Sequence, residues 1–340
     1  MIAEVTREME CSTAARGLSA QAADQFLRDG YCRVPAAFSA SIAQRVLEAT
    51  LVAAERAGAD LSRPSSPRLT VGRQAGPPFT LLNTERVWGA LDHLVGKDRY
   101  DRAHFDAHGN FLLSFPGFTE RRPSCQLLQW HVDNGYEKRT HYTLADGNCA
   151  IIPIFLLTPM FEQGGATMLM RGSHRWVARL IQFMNRPISE AEMMCLWRAI
   201  SRLNITENVS LTGEPGDLVL VHPLTVHTGS PNYRNQLRVI CNTGIGQLGP
   251  RRLSGGHDAS FVERGIVDAI TNRHLSARDR QRITRGVGLT NKLWQHRKKM
   301  IGALGVDMRR VGIGKRLAVG ALDAIVDPIA RSVADLIIPE

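Results

Sequence analysis

The sequence predicts a mainly β protein with helical flanks, its core a double-stranded β-helix, that is, a jelly roll of cupin-like architecture. Three observations predict it. Between Gly109 and Gly246, short apolar runs alternate with turn signals. Before that stretch, apolar residues recur at helical spacing behind capping residues. After Pro250 the pattern is helical and basic to the end.

The N-terminal third reads as helix, strand, helix. Ser19 caps a helix over Ala20–Asp29, and Gly30 stops it. Tyr31–Val34 is a short strand ended by Pro35. Ser39 caps a second helix through about Arg56, with Ile42, Val46, Leu47 and Leu51 at helical spacing. Gly58–Pro78, rich in Gly, Pro and Ser, reads as a loop. The expected strands are Phe111–Phe115, Leu127–His131, Ala150–Leu157, Ala166–Met170, Val209–Leu211, Leu218–His222 and Leu237–Thr243. Pro116-Gly117, Gly164-Gly165, Gly213, Pro215-Gly216 and Pro231-Asn232 separate them. Many short strands at this spacing fold as two packed sheets. One helical insert, Ser189–Leu203, interrupts the run.

With 340 residues the chain can bury one large core, or a core plus a smaller helical appendage. We expect a jelly-roll domain over residues 1–250, N-terminal helices included, and a basic helical extension over 251–340. A content of 44% hydrophobic and 22% charged residues excludes wholesale disorder. The N-terminus mixes acids and bases without an apolar run, so no secretory signal is expected there. No apolar run approaches the roughly 18 residues of a membrane span. Six scattered cysteines without a CxxC pair suit free thiols in the cytoplasm. Residues 251–340 hold 17 Lys and Arg against 9 Asp and Glu, a net +8 of the chain's +10. Such a segment can meet an anionic partner, but its ordinary role is a solvated helical face. It shows no nucleic-acid motif and little aromatic interleaving beyond Trp294.

The residues that carry chemistry begin at Trp130-His131-Val132-Asp133. On a strand, residues two apart share a face, so His131 and Asp133 can reach one metal together. A buried run from Leu218 ends near a second histidine, His227. Two imidazoles and one carboxylate leave three coordination positions open, the donor set of non-haem iron(II) oxygenases. Arg238 follows His227 by eleven positions, with a turn at Ser230-Pro231-Asn232 between them. A guanidinium there can hold the far carboxylate of a metal-chelating dicarboxylic oxoacid in a bidentate fork.

Four segments resemble the phytanoyl-CoA dioxygenase family of iron(II)/2-oxoglutarate oxygenases. They are LSAQAADQFLRDGYCRVPAAFS at Leu18–Ser39, WHVDNGY at Trp130–Tyr136, GGATMLMRGSHRW at Gly164–Trp176 and PGDLVLVHPLTVHTGSPNYRNQLRVI at Pro215–Ile240. The resemblance implies that His131, Asp133 and His227 are the iron ligands and that Arg238 pairs with the distal carboxylate of 2-oxoglutarate, with dioxygen as second co-substrate. Two positions depart from the family pattern. Gly229 stands where a serine often assists that carboxylate, which leaves Thr228 or Ser230 to substitute, and Arg171 stands where the turn commonly has proline. Gln126 and Gln129 are further candidates for co-substrate contact. His222 is a rival ligand, five residues before His227 and so on the opposite face of a regular strand. His174 reads as a turn histidine at a strand end. Trp130 and Tyr136 are candidates for either the substrate pocket or the core.

The family's chemistry implies oxidative decarboxylation of 2-oxoglutarate to succinate, coupled to hydroxylation of an unactivated C–H bond of a small molecule. Halogenation needs a small residue at position 133, and Asp133 argues against it. Desaturation, epoxidation and ring closure use the same ligands. A jelly-roll binding protein without catalysis is the alternative of another class, and the complete set of four residues speaks against it.

Overall fold

The computed structural model describes residues 17–102, 109–118, 129–133, 141–145, 149–184, 186–271, 275–303 and 313–338. Helix α1 (Ala20–Asp29) begins where the Ser19 hydroxyl accepts from the Ala22 amide and ends at Gly30, whose φ of +82° only glycine adopts cheaply. Strand β1 (Tyr31–Val34) follows, then α2 (Ala40–Arg56), capped in the same way by Ser39. The stretch read as a loop contains strand β2 (Arg68–Val71), and beyond it lies a helix that the sequence reading left out, α3 (Glu85–Val95), capped by Thr84. A four-residue edge strand between proline- and serine-rich flanks leaves little periodic signal.

The central strands are β3 (Asn110–Ser114), β4 (His141–Tyr142), β5 (Ile152–Leu156), β6 (Thr167–Met170), β7 (Ile188–Ser189), β8 (Asn208–Ser210), β9 (Leu218–Val221), β10 (His227–Gly229) and β11 (Arg238–Asn242). They build a six-stranded sheet of order β1-β9-β5-β11-β3-β2, a three-stranded sheet β10-β6-β8 and a two-stranded β4-β7 pair. From β5 on, the chain passes repeatedly between the two larger sheets, as a jelly roll requires. Of the expected strand Leu127–His131, residues 127–128 lie outside the described residues, and His131 forms a single bridge to His227.

Alternation along the strands sorts the side chains. Leu218 and Leu220 of β9 pack with Phe26, Val46, Leu82, Leu91 and Phe155 beneath the N-terminal helices. Val219 and Val221 face the other way and join Ile152, Ile154, Leu169 and Ile240 between the two sheets. Arg238 shares the parity of Ile240, so β11 sends its guanidinium inward with that second group.

A further correction concerns Gly164–Trp176. The turn after β6 is only Arg171-Gly172: Ser173–Phe183 is helix α4, and His174 stands in its first turn rather than in a turn at the strand end. Gly172 turns the chain with a φ of +71°, and Trp176, Val177, Leu180, Ile181 and Phe183 then line one buried face. Helix α5 (Glu190–Arg202) carries a capping box between Ser189 and Glu192. After Pro250, α6 (Phe261–Thr271), α7 (Ala277–Ala303) and α8 (Ile313–Ile337) follow. Ile266, Ile283, Val287, Val326 and Val333 from these helices share one apolar cluster with Leu180, Leu196, Trp197 and Trp130. Trp130 is fully buried there. Among the described residues no helix is long and apolar enough to cross a membrane. Cys32, Cys149, Cys195 and Cys241 are buried and outside any disulfide among the described residues, while Cys11 and Cys125 lie outside those residues.

Candidate active site

His131, Asp133 and His227 come together: one potential ligand atom from each lies within 4.8 Å of the others. The backbone arranges this. His131 bridges His227, which pairs in turn with Leu169 of β6, so the His131 segment extends the three-stranded sheet by one rung. Asp133, two residues on, returns to the face of His131.

Second contacts fix the imidazoles. Nδ1 of His131 lies 2.8 Å from the Gln129 carbonyl, and Nδ1 of His227 lies 3.0 Å from the Thr225 carbonyl. A carbonyl only accepts, so each Nδ1 carries the proton and each Nε2 keeps its lone pair. The two Nε2 atoms stand 3.7 and 3.6 Å from the Asp133 carboxylate oxygens, beyond direct hydrogen bonding and at a spacing that a shared cation can bridge. Burial, and then the neighbouring His227, push His131 down to about 4 against the opposing pull of Asp133, so its imidazole is the neutral form that metals bind. His227 is buried, whereas His131 and Asp133 are partly open to solvent.

Behind the triad lies a cavity of about 240 Å³ between the two sheets. His131 and His227 line one end, and Thr167, Leu169, Thr228 and Arg238 line its walls. Arg238 is 4% exposed. Its guanidinium donates to the carbonyls of Leu112, at 3.3 Å, and Gly165, while its Nε is buried without a partner. Burial and then the like charge of Arg68 push it down to about 9. A buried cation on the wall of a cavity, with no carboxylate beside it among the described residues, is a place for an anion.

The other predicted residues divide. Thr228 lines the cavity; Ser230 does not, and its hydroxyl donates to the Ala166 carbonyl at 2.9 Å. Gln126 and Tyr136 lie outside the described residues. Gln129 takes part through its backbone carbonyl. His222 is no member of the triad: β9 ends at Val221, and the His222 ring turns toward α6, with Nε2 3.0 Å from the Val262 carbonyl and its centroid 4.8 Å from that of His174. The residue missed from the sequence is Arg68, which lines the cavity from β2. Its signal was hidden because its strand was read as loop.

Residues 26–240 match the phytanoyl-CoA dioxygenase (PhyH) family. The chain belongs to that family. The probable alpha-ketoglutarate-dependent hypophosphite dioxygenase of Stutzerimonas stutzeri is 25% identical over 230 residues, covering 62% of this chain and 72% of the relative. Among solved structures, the non-haem alpha-ketoglutarate-dependent carbocyclase SnoK from nogalamycin biosynthesis is 16% identical, with a TM-score of 0.47 over 71% of this chain and 88% of its own. EctD from S. alaskensis, solved with 2-oxoglutarate and 5-hydroxyectoine, is 20% identical, with a TM-score of 0.45 over 67% and 76%.

Proposed function

We propose that this protein is an iron(II)- and 2-oxoglutarate-dependent dioxygenase that hydroxylates an unactivated C–H bond of a small molecule. The observation that carries the reading is the convergence of His131, Asp133 and His227 at the end of a cavity whose wall holds the buried Arg238. The donor chemistry fits iron(II). Two imidazole nitrogens with their protons committed elsewhere, and one carboxylate, make a three-ligand set that leaves positions open. The buried guanidinium of Arg238 in the cavity wall fits the distal carboxylate of the oxoacid.

When bound, the iron supplies the coupling of dioxygen reduction and oxoacid decarboxylation to oxidation of the substrate. The protein's own part is placement. His131 and His227 present Nε2, Asp133 presents a carboxylate, and Arg238 fixes the oxoacid at its far end. Ile152, Ile154, Leu169 and Val221 keep the cavity wall dry. Substrate enters on the side where His131 and Asp133 remain open.

Aerobic incubation with iron(II), 2-oxoglutarate and a panel of small molecules tests the reading. The expected result is succinate formation, raised by a substrate that gains one oxygen in mass. Absence of succinate under all conditions, with metal bound, sinks it.

A further inference from the structure

We propose that Arg68 is a second anion-binding residue of this cavity. With Arg238 it grips the distal carboxylate of the oxoacid, and Gly229 leaves the room that its guanidinium needs. This inference rests on the co-substrate reading above.

Three observations converge on it. Arg68 of β2 and Arg238 of β11 are both paired with Ser114 of β3, one from each side. Residues in one cross-strand row leave the sheet on the same face, so the two guanidiniums belong to one surface. Both line the cavity, Arg238 buried and Arg68 exposed. Among the described residues no carboxylate acts on either cation. Like charges in one row repel, and an anion between them removes that cost.

The second observation is how Arg68 is held. Its Nη2 donates to the Ser230 carbonyl at 3.0 Å, just past the end of β10. The side chain thus crosses from the edge of the large sheet to the small one, along the cavity that it lines.

The third is Gly229. A Cβ built there would lie 2.8–2.9 Å from Nη2, Cζ and Nη1 of Arg68. Any side chain at position 229 and the guanidinium of Arg68 therefore claim the same space. The arginine head occupies it, and it supplies several donors where a short hydroxyl would supply one.

A purely structural role, tying the two sheets through Ser230, makes a different prediction, and a pair of acids separates the two. Binding of 2-oxoglutarate and of 2-oxopentanoate, which keeps the oxoacid end but lacks the distal carboxylate, is measured by calorimetry on manganese(II)-loaded protein. Arg68→Ala should weaken 2-oxoglutarate about tenfold, the scale of one charge-assisted contact at a partly open site, and leave 2-oxopentanoate within about twofold. Gly229→Ala, which pushes the guanidinium aside without removing it, should weaken 2-oxoglutarate in the same way. It should add almost nothing in the Arg68→Ala background, because the two changes act on one contact. Equal weakening of both acids assigns Arg68 to structure and overturns the proposal, as does an unchanged 2-oxoglutarate constant in Arg68→Ala. If the wild-type protein with metal bound takes up neither acid, it is the co-substrate reading that fails, a result distinct from a wild type that binds and an Arg68→Ala variant that binds equally well.

Discussion

His131 and His227 are bonded to each other through their backbones. The His131 amide donates to the His227 carbonyl at 3.0 Å, and the His227 amide donates back at 2.9 Å. Two residues that exchange both bonds face each other directly across an antiparallel pair, and their side chains leave on one side. The ring centroids are 4.4 Å apart. The geometry of the candidate metal site is therefore set by a single reciprocal backbone contact, with Asp133 delivered by the period of the strand.

The metal prediction follows from that arrangement. His131→Ala and Asp133→Ala should each abolish iron(II) binding, since each removes one of three protein donors. Both residues are partly open to solvent, so the apo fold should lose less than about 1 kcal/mol. Metal content after reconstitution and urea melts of the apo proteins check both halves. Iron bound at full stoichiometry in either variant contradicts the assignment.

His222 should behave in the opposite way. It is fully buried, accepts from the Leu224 amide at 3.1 Å and lies 3.0 Å from the Val262 carbonyl. His222→Ala leaves a cavity and two unpaired backbone groups, so it should cost about 2–4 kcal/mol of stability. Metal binding at permissive temperature should be unaffected. A variant that keeps its stability and loses its iron would make His222 the ligand.

Acid should destabilise the protein through the same buried pair. Burial pushes His174 down to about 3, and burial followed by His174 pushes His222 well below its ordinary range. In the unfolded chain both titrate near about 6.5. Below that pH the unfolded state takes up protons that the folded state refuses, so stability is constant above the unfolded value and declines as pH falls toward 3. Each histidine contributes up to about 1.4 kcal/mol per pH unit. Urea unfolding of apo protein between pH 7.5 and 4.5 should show the decline, and His222→Ala should lessen it by about one proton. An equal slope in wild type and variant removes the pair as its source.

What could be read from the sequence, and what could not, has a physical pattern. The pairing of His131 with Asp133 was legible because a strand repeats every two residues; Arg238 lies on β11 of the large sheet, not beside β10, so it meets His227 across the cavity between the sheets rather than along a hairpin. Ser19, Gly30 and Ser39 were legible because capping is local chemistry. Helix α4 carries a clear helical spacing from Trp176 to Phe183, yet His174 reads as part of a strand-end turn because the turn, Arg171-Gly172, is only two residues long and the helix follows it at once. Arg68 could not be found, because its place beside Arg238 comes from pairing across three strands distant in sequence. The face of His222 was argued from a regular strand, whereas the strand stops at Val221 and a turn decides its direction.

The presence of Asp133 bears on the reaction type. With the carboxylate in the third protein position, a halide has no place of its own on the metal. Turnover in chloride-containing buffer should give an oxygenated product with no chlorinated one, read by mass spectrometry. A chlorinated main product would show that Asp133 does not bind the metal during turnover.

The last prediction concerns Arg238, the more exposed half of the co-substrate assignment to experiment. Its guanidinium is held by the carbonyls of Leu112 and Gly165, which orient it without neutralising it. Truncating one partner of a buried charge-assisted contact costs about 2–5 kcal/mol, part of it the cost of leaving the other charge unpaired. Each 1.4 kcal/mol is tenfold in affinity, so Arg238→Ala should raise the apparent constant for 2-oxoglutarate by roughly 30-fold or more. Arg238→Lys should fall between, because it keeps the charge and loses the planar fork. Iron binding should hardly change, as the guanidinium is no ligand. Arg234 is the internal control: it is exposed, donates to the Glu162 carbonyl at 3.2 Å and sits over the Phe161 ring, away from the cavity lining. Arg234→Ala should therefore leave the constant within about twofold. A large effect at Arg234 and none at Arg238 would mean that the β10–β11 connection delivers a different residue to the cavity. No effect at either would leave the distal carboxylate without its buried partner, and 2-oxoglutarate would have to be replaced by an oxoacid that carries no second charge.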